Sequence, residues 1–555
     1  MFRRLSSLAL PSALVLTAAF TTACPGAARP VRPTETPDPA QGATMERTAQ
    51  SVVAELEDRT RALLRKQDEL VWQYWTEGTP VDFSLTAADE KALYTREALA
   101  QFVAARDAAT DALDARALDQ LRLHFVGELL ARAAAAETAQ VSRLEGALTF
   151  RVGGHDYTLR DVERFLARER NALRRQDLYA QAAKAAERMT PALDAREAKQ
   201  REEALALGYE SIRALATDVR RTDLDLLAQH AERVLTQSAP AFRELLDHYA
   251  ARTLRLPRDR VRLRDLPRMF RAPHIDEHFP KDALLTRSEA TLAGLALPTG
   301  GRHGRLVIDS REVDGKHGRP LALPVSVPDD VRVSVKPQSG VRVQAGYFHE
   351  LGHALHASWT LQPRFGLSKL GGGAVSEGWS VLFERLVHDP VWLERRLQLP
   401  GDRIARYLSS AAAWDLFLLR RTAAMVLYEH RRHAPGADER AVYRQVLEEA
   451  FLLPVEDVDV ARHALAREEV FASARVFEAQ LLAHALEGQL KSRFGPAWWE
   501  SAQAGTWLRQ LWAHGNALDA REVAAAAGED AFDPDGLVLR LTLALKAPQL
   551  DPEEE

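Results

Sequence analysis

One ten-residue run, Tyr347-Phe348-His349-Glu350-Leu351-Gly352-His353-Ala354-Leu355-His356, concentrates the residue types that do chemistry at a spacing that lets them act together. On a helix, residues four apart share a face, so His349 and His353 can present two imidazoles to one divalent metal ion. Glu350 would then face a water molecule activated by that ion and serve as its general base. Two nitrogens call for a third ligand. Glu377 lies 24 residues past His353, enough for a loop and an antiparallel helical return that carries a carboxylate to the metal. Two histidines, one carboxylate and one open position describe a catalytic zinc site, with one zinc per chain, whereas a closed four-ligand set would be structural. His356, three residues past His353, competes as a ligand, and Glu384 can instead accept a hydrogen bond that orients one of the histidines.

These residues need two helices and a support. Glycines at Gly371-Gly372-Gly373 make a flexible loop, and Val375, Trp379, Leu382 and Leu386 then recur at helical spacing until Pro390. Ahead of the histidine run, between residues 300 and 340, Leu306-Val307-Ile308 is followed by a turn at Asp314-Gly315. Val331, Val333 and Val335 then alternate with Arg332, Ser334 and Lys336, and this period of two predicts a small β-sheet beside the histidine helix. From Met45 to about Leu297 the pattern is helical, with Thr86-x-x-Asp89, Thr158-x-x-Asp161 and Thr286-x-x-Glu289 expected as helix starts. The eight arginines between Arg252 and Arg271 read as a solvated face, Asp329-Asp330 after Pro328 as a turn, and Trp498, Trp499, Trp507 and Trp512 as helix-packing core.

The chain has 555 residues, 46% hydrophobic and 27% charged, which is ordinary globular usage, and its excess of Ala, Leu, Arg and Glu favours helix. A net charge of −5 argues against nucleic acid as a partner. At the N-terminus, Arg3 and Arg4 precede an apolar run from Leu8 to Phe20 and then Thr21-Thr22-Ala23-Cys24, the pattern of an export signal too short to span a membrane. Cys24 is the only cysteine, so no intramolecular disulfide can form. The segment resembles a bacterial lipoprotein signal, which implies a lipid anchor on Cys24 and a place in the cell envelope; Thr21 stands where that signal has Leu, which leaves plain secretion as the alternative. Expected segments are the signal over 1–24, a Pro-rich tether over 25–44, an N-terminal helical lobe over 45–299, a catalytic lobe over 300–545 and an acidic tail over 546–555.

Several motifs together resemble the thimet oligopeptidase and peptidyl-dipeptidase family of zinc metallopeptidases, gluzincins related to angiotensin-converting enzyme. The family's HExGHxxH matches His349 to His356, and its E-x-x-S-x-x-x-E matches Glu377, Ser380 and Glu384. Its Asp with Gly-Lys six and seven residues later matches Asp309, Gly315 and Lys316, and Gly515-Asn516-Ala517 with Gly528 and Phe532-Asp533-Pro534 resembles its closing segment. Leu207-Gly208-Tyr209 is similar to a helix junction in its N-terminal lobe. The resemblance implies a mainly α, two-lobed zincin with a deep central channel that admits short peptides, acting as a monomer. It also implies zinc on His349, His353 and Glu377, and Glu350 as the base that later hands its proton to the leaving amine. The strand carrying Ser334 would pair with an extended peptide. One departure stands out. The family's oxyanion tyrosine lies on a helix that here reads Phe471-Ala472-Ser473-Ala474-Arg475-Val476-Phe477, without a tyrosine. Arg475, His463 and His484 are the candidate replacements.

The function expected from these residues is hydrolysis of short oligopeptides by a zinc metallopeptidase. Two alternatives follow from the missing tyrosine and the generality of the site: a catalytically impaired zinc- and peptide-binding lipoprotein of the same fold, and a metallohydrolase acting on a non-peptide amide.

Overall fold

The computed structural model describes residues 49–545 apart from 79–80, 160, 271–272, 300–305, 372, 468–469 and 530–531. The export signal with Cys24, the tether, Gly372 and the acidic tail therefore lie outside the described residues. Most of the described chain is helical. The elements that bear on the site are α1 (Ala49–Glu77), α2 (Ala112–Ala133), α3 (Leu224–Gln237), α4 (Val341–Trp359), α5 (Gly373–Glu384), α6 (Gly401–Arg432), α7 (Ala472–Phe494) and α8 (Ala502–Trp512).

Acidic N-caps start α2 and α3. Asp111 accepts from the Asp114 N–H at 2.8 Å, and Asp223 accepts from the N–H groups of Asp225 and Leu226, satisfying donors that the first helical turn leaves open. The three threonine caps expected from sequence come out differently. Thr86 precedes a short helix, but its hydroxyl donates to Glu90 at 2.6 Å. At Thr158 the roles invert, the Asp161 carboxylate accepting from both its N–H and its hydroxyl. Thr286 lies inside the helix Leu284–Gly294. Short polar side chains bond as readily within a turn as across a helix start, so the motif alone does not fix the boundary.

Two small sheets accompany the helices. β1 (Thr149–Val152) and β2 (His155–Thr158) form an antiparallel hairpin, which the sequence pattern did not announce. β3 (Leu306–Asp309), β4 (Leu321–Ser326) and β5 (Asp330–Ser334) form a three-stranded sheet in the order β3-β5-β4, with β3 parallel and β4 antiparallel to β5. The strand expected to pair with a peptide is thus the central one, with both of its edges already hydrogen-bonded. The outer edges belong to β3 and β4, and of the three strands β4 is the one whose residues line the large cavity. The Asp309/Gly315/Lys316 signature closes the sheet: the buried Lys316 Nζ donates to the Asp309 carbonyl at 2.8 Å and to its carboxylate at 3.0 Å. Gly315 has φ +81° and packs against Gly78 at the end of α1, where neither residue has room for a side chain.

The largest core joins the sheet valines Val331, Val333 and Val335 to Phe348, Leu351 and Leu355 of α4, Trp379, Leu382 and Phe383 of α5, and Trp498, Trp499 and Trp512. Those tryptophans are buried as expected, and Trp507 packs beside them against Phe494. A second core combines α3 and the segment up to Phe270 with α6, α7 and Leu537–Leu541, so the cores do not divide at residue 300. A third joins α1 and α2 to Phe365 and Leu370. In the arginine-rich segment, Arg262 and Arg264 share Glu456 and Arg258 pairs with Asp247, which fits a surface held by ion pairs. No described helix is long and apolar enough to cross a membrane.

One very tight contact in the large core lies between α4 and α5. A Cβ on Gly352 would sit 2.6 Å from the Ser380 Cα and the Trp379 carbonyl, backbone that cannot yield without moving the helix. Gly352→Ala is therefore expected to force the two helices apart and to lower stability by about 1–3 kcal/mol, the usual range for overpacking a filled core. Urea unfolding followed by circular dichroism checks it, and a midpoint equal to that of the unsubstituted chain would show that the contact can relax.

Candidate metal centre

α4 and α5 bring three ligand-type atoms to one point. One atom each from His349, His353 and Glu377 lie within 4.8 Å of one another, the group among the described residues that could hold a metal ion. Helical periodicity puts His349 and His353 on the same side of α4, with ring centroids 5.0 Å apart and planes at 77°. Glu377 comes from the second turn of α5, and its Oε2 lies 3.6 Å from His349 Nε2. All three side chains are almost wholly buried or half-buried.

Each imidazole is oriented from its far side. His349 Nδ1 donates to the Glu384 carboxylate at 2.9 Å, and His353 Nδ1 is hydrogen-bonded to the Ser376 hydroxyl at 2.7 Å. That arrangement directs both Nε2 atoms into the cluster, where neither finds a hydrogen-bond partner, and Glu377 Oε1 has none either. Buried polar atoms are nearly always satisfied, so two unpartnered imidazole nitrogens facing a buried carboxylate mark a site built for something else to bind.

The electrostatics agree. Burial disfavours charge on His349, yet the Glu384, Glu377 and Glu350 carboxylates override it and lift its pKa to about 9. Burial and the neighbouring His349 push His353 well below the ordinary imidazole range. Burial raises Glu377, opposed by His349 and Arg475. Burial also lifts Glu350 to about 7, with His349 and the Ala322 N–H acting the other way. The protonated His349 is the local counter-charge to these acids, a role that a divalent cation bound by both imidazoles would take over while expelling the proton. The donor set of two nitrogens and one carboxylate, with its outward-facing atoms unpartnered, fits zinc.

The cluster opens on a cavity of about 1340 Å³. Its walls come from α1, β4, α4, α5, α7 and the segment around Asn516–Arg521, and they include His353, Ser376, Glu377 and Arg475. At the β4 edge the Ala322 N–H donates to Glu350 Oε2 at 2.7 Å, so the carboxylate is held between the strand and the histidine cluster.

The other residues singled out in the sequence take different places. Glu384 orients His349. Arg475 is buried beside Glu377, its Nη2 3.9 Å from Glu377 Oε1. His356 lines the cavity, but its Nε2 is bonded to the Gly515 carbonyl at 3.2 Å and it is absent from the ligand cluster, so it ties α4 to the closing segment and does not compete for the metal. Burial drops its pKa to about 4, which keeps it neutral. Ser334 is buried within the sheet and away from the cavity walls. His463 bonds to the Val460 carbonyl and His484 lies near Arg385 and Arg540; neither is among the residues that line the cavity. Sequence reasoning missed Ser376 and Ala322. Ser376 adjoins Glu377, but a serine beside a ligand carries no signal of its own, and Ala322 acts through its main chain, which residue type does not reveal.

No family model matches the sequence, and no curated protein matches it. Among solved structures, the chain is similar to the crystal structure of a Bacillus anthracis str. Ames protein assigned as an oligoendopeptidase F, with a TM-score of 0.61 at 15% identity, covering 91% of this chain and 92% of that one. The likeness establishes a shared fold over nearly the whole of both chains.

Glu384→Ala is expected to leave His349 free to rotate and to weaken zinc binding about 10- to 100-fold, the usual cost of losing an orienting partner. Competition with a zinc chelator measures it, and an unchanged affinity would remove Glu384 from the design of the site.

Proposed function

We propose that this chain is a zinc metallopeptidase that hydrolyses peptide bonds of short oligopeptides, with His349, His353 and Glu377 as ligands and Glu350 as general base. The observation that carries the proposal is the convergence of His349, His353 and Glu377, both imidazole Nε2 atoms unpartnered, beside the buried Glu350, with His353 and Glu377 on the wall of a large cavity. The shared fold supports it, because the neighbour's assignment as an oligoendopeptidase names the same substrate class.

Zinc held there would polarise the scissile carbonyl and make water a nucleophile near neutral pH. The chain's own residues do the rest. Glu350 is lifted to about 7 by burial, which suits a group that must take a proton from water and return it to the leaving amine at neutral pH. The Ala322 N–H fixes one carboxylate oxygen and leaves the other to make the transfer. β4 presents an outer edge of the sheet at the cavity wall, where an extended peptide can be held by main-chain hydrogen bonds with little demand on its side chains. By the same reading the chain is a monomer, exported and held at the cell envelope through Cys24 and its tether.

Glu350→Gln should keep one zinc per chain and lose about 10²–10⁴ in turnover of a mixed peptide library read by mass spectrometry. Equal activity in that variant would sink the proposed base. Glu377→Ala should bind zinc poorly, and a full complement measured by atomic emission would take Glu377 out of the ligand set. A folded, zinc-loaded chain that cleaves nothing would favour the peptide-binding alternative.

A further inference from the structure

Five arginines among the described residues are buried: Arg122, Arg175, Arg420, Arg467 and Arg475. Four are held by acceptors. Arg122 and Arg175 bond to aspartates, Arg467 to Glu439 and Asp194, and Arg420 to three main-chain carbonyls and the Ser238 hydroxyl. Arg475 is 4% exposed, yet its Nε and Nη2 have no hydrogen-bond partner. The acid one turn further along α7, Glu478, is engaged by the Thr222 hydroxyl and does not serve it. Glu377 Oε1 at 3.9 Å is beyond hydrogen-bond reach.

The position is a built one. The Arg475 side chain passes over Gly373 at the start of α5, where a Cβ would come within 2.7 Å of its Cδ. The guanidinium is thereby delivered to the cavity wall beside the third ligand, one contact from the histidine cluster. Several other cations on the same wall are engaged by acceptors: Lys369 by Asp68 and the Pro324 carbonyl, Arg116 by Glu522, Arg220 by the Val470 carbonyl and Arg221 by Asp119. What sets Arg475 apart is its contact with the third ligand.

A buried cation with open donors is poised for an anion, and amide hydrolysis creates one beside the metal ligands as the carbonyl oxygen becomes tetrahedral. We infer that Arg475 is a catalytic residue that binds this developing oxyanion, donating from the guanidinium fork. The inference rests on the peptidase reading above. In the balanced step, water adds to the carbonyl carbon, Glu350 takes the water proton, and the carbonyl π pair moves onto oxygen, where Arg475 stabilises the charge. Collapse returns that pair, breaks the C–N bond and passes the proton to the leaving amine. A free peptide carboxylate is the other anion a guanidinium takes, and the test separates the two sources.

The experiment compares the zinc-loaded full chain with Arg475→Met, which keeps the volume, and Arg475→Lys, which keeps the charge. It follows hydrolysis of one peptide with a free and with an amidated C-terminus, zinc content, and calorimetric affinity for a phosphinic peptide, a stable anionic mimic of the tetrahedral state. Expected for Arg475→Met are one zinc per chain, KM within about 3-fold, and kcat lower by about 10²–10³ for both peptides alike. Phosphinic-peptide affinity should fall by a similar factor, with partial recovery of both in Arg475→Lys. An unchanged kcat overturns the inference. Loss of zinc would make Arg475 a support of Glu377, and a loss confined to the free-carboxylate peptide would make it a terminus anchor; either outcome also overturns it. If the unsubstituted chain cleaves nothing, the peptidase reading fails separately, and equal phosphinic-peptide affinity in chain and variant then decides against Arg475.

Discussion

The close approach of α4 to α5 at Gly352 is the constraint on which the site depends. Two helices carrying large side chains at every facing position pack about 8–10 Å apart. Here a residue without a Cβ on α4 lets the backbone of Ser380 and Trp379 come into direct contact. Glu377 is one turn from that contact along α5, and His349 and His353 flank it along α4, so the distance between the helices sets the distance between ligands. Gly378 does the same on the adjoining face, where Leu482 of α7 fills the place of a side chain. Through that second contact α7 carries Arg475 to the cavity wall. Two glycines, three helices and a hydrophobic core thus hold polar groups closer than their own interactions would.

That packing has an electrostatic cost that the surroundings only partly offset. Glu350, Glu377 and Glu384 converge on two imidazoles in a region from which water is largely excluded, and the pKa values move in opposite directions as a result: His349 up to about 9, His353 down, Glu350 up to about 7. A cluster of this kind is unfavourable unless it is completed by charge from outside. Arg175 shows the opposite case among the described residues: its guanidinium is closed by Asp265 and by the Glu169 and Arg170 carbonyls. What separates the site from such a network is that its unpartnered nitrogens sit on two neighbouring imidazoles that face a buried carboxylate.

Much of this was legible in the sequence because it depends on period and residue type. The four-residue spacing of His349 and His353, the helical recurrence of Val375, Trp379 and Leu382, and the alternation of Val331, Val333 and Val335 each translate directly into geometry. Asp309 and Lys316 stood out only through the family resemblance; that the lysine is buried and bonds that acid is seen in the structure alone. What was not legible depends on partners distant in the chain. Nothing in the residues around Val331 says that β3 and β4 take both of its edges. The Thr-x-x-acid pattern specifies a local hydrogen bond without saying whether a helix follows it. His356 looks like a ligand until the Gly515 carbonyl, far along the chain, is found bonded to it.

The reassignment of the cavity-lining edge from β5 to β4 changes what the cavity can hold. A peptide laid along β4 meets three different groups. At Ala322 the N–H is committed to Glu350, so the strand edge and that carboxylate are coupled. At Pro324 there is no N–H to offer, and the carbonyl is taken by Lys369, itself paired at 2.7 Å with Asp68 of α1. Opposite Leu323, Arg332 of the neighbouring strand is clasped by Glu69, so Asp68 and Glu69 fasten α1 to the sheet at successive residues. α1 and the β4 edge therefore form one continuous stretch of the cavity wall, with Val71 and Trp75 of the helix beside Leu321 to Pro324 of the strand. Under the proposed peptidase reading, a peptide paired with β4 would lie against this helix, so the geometry of its pairing would be set by how α1 is fastened to the sheet.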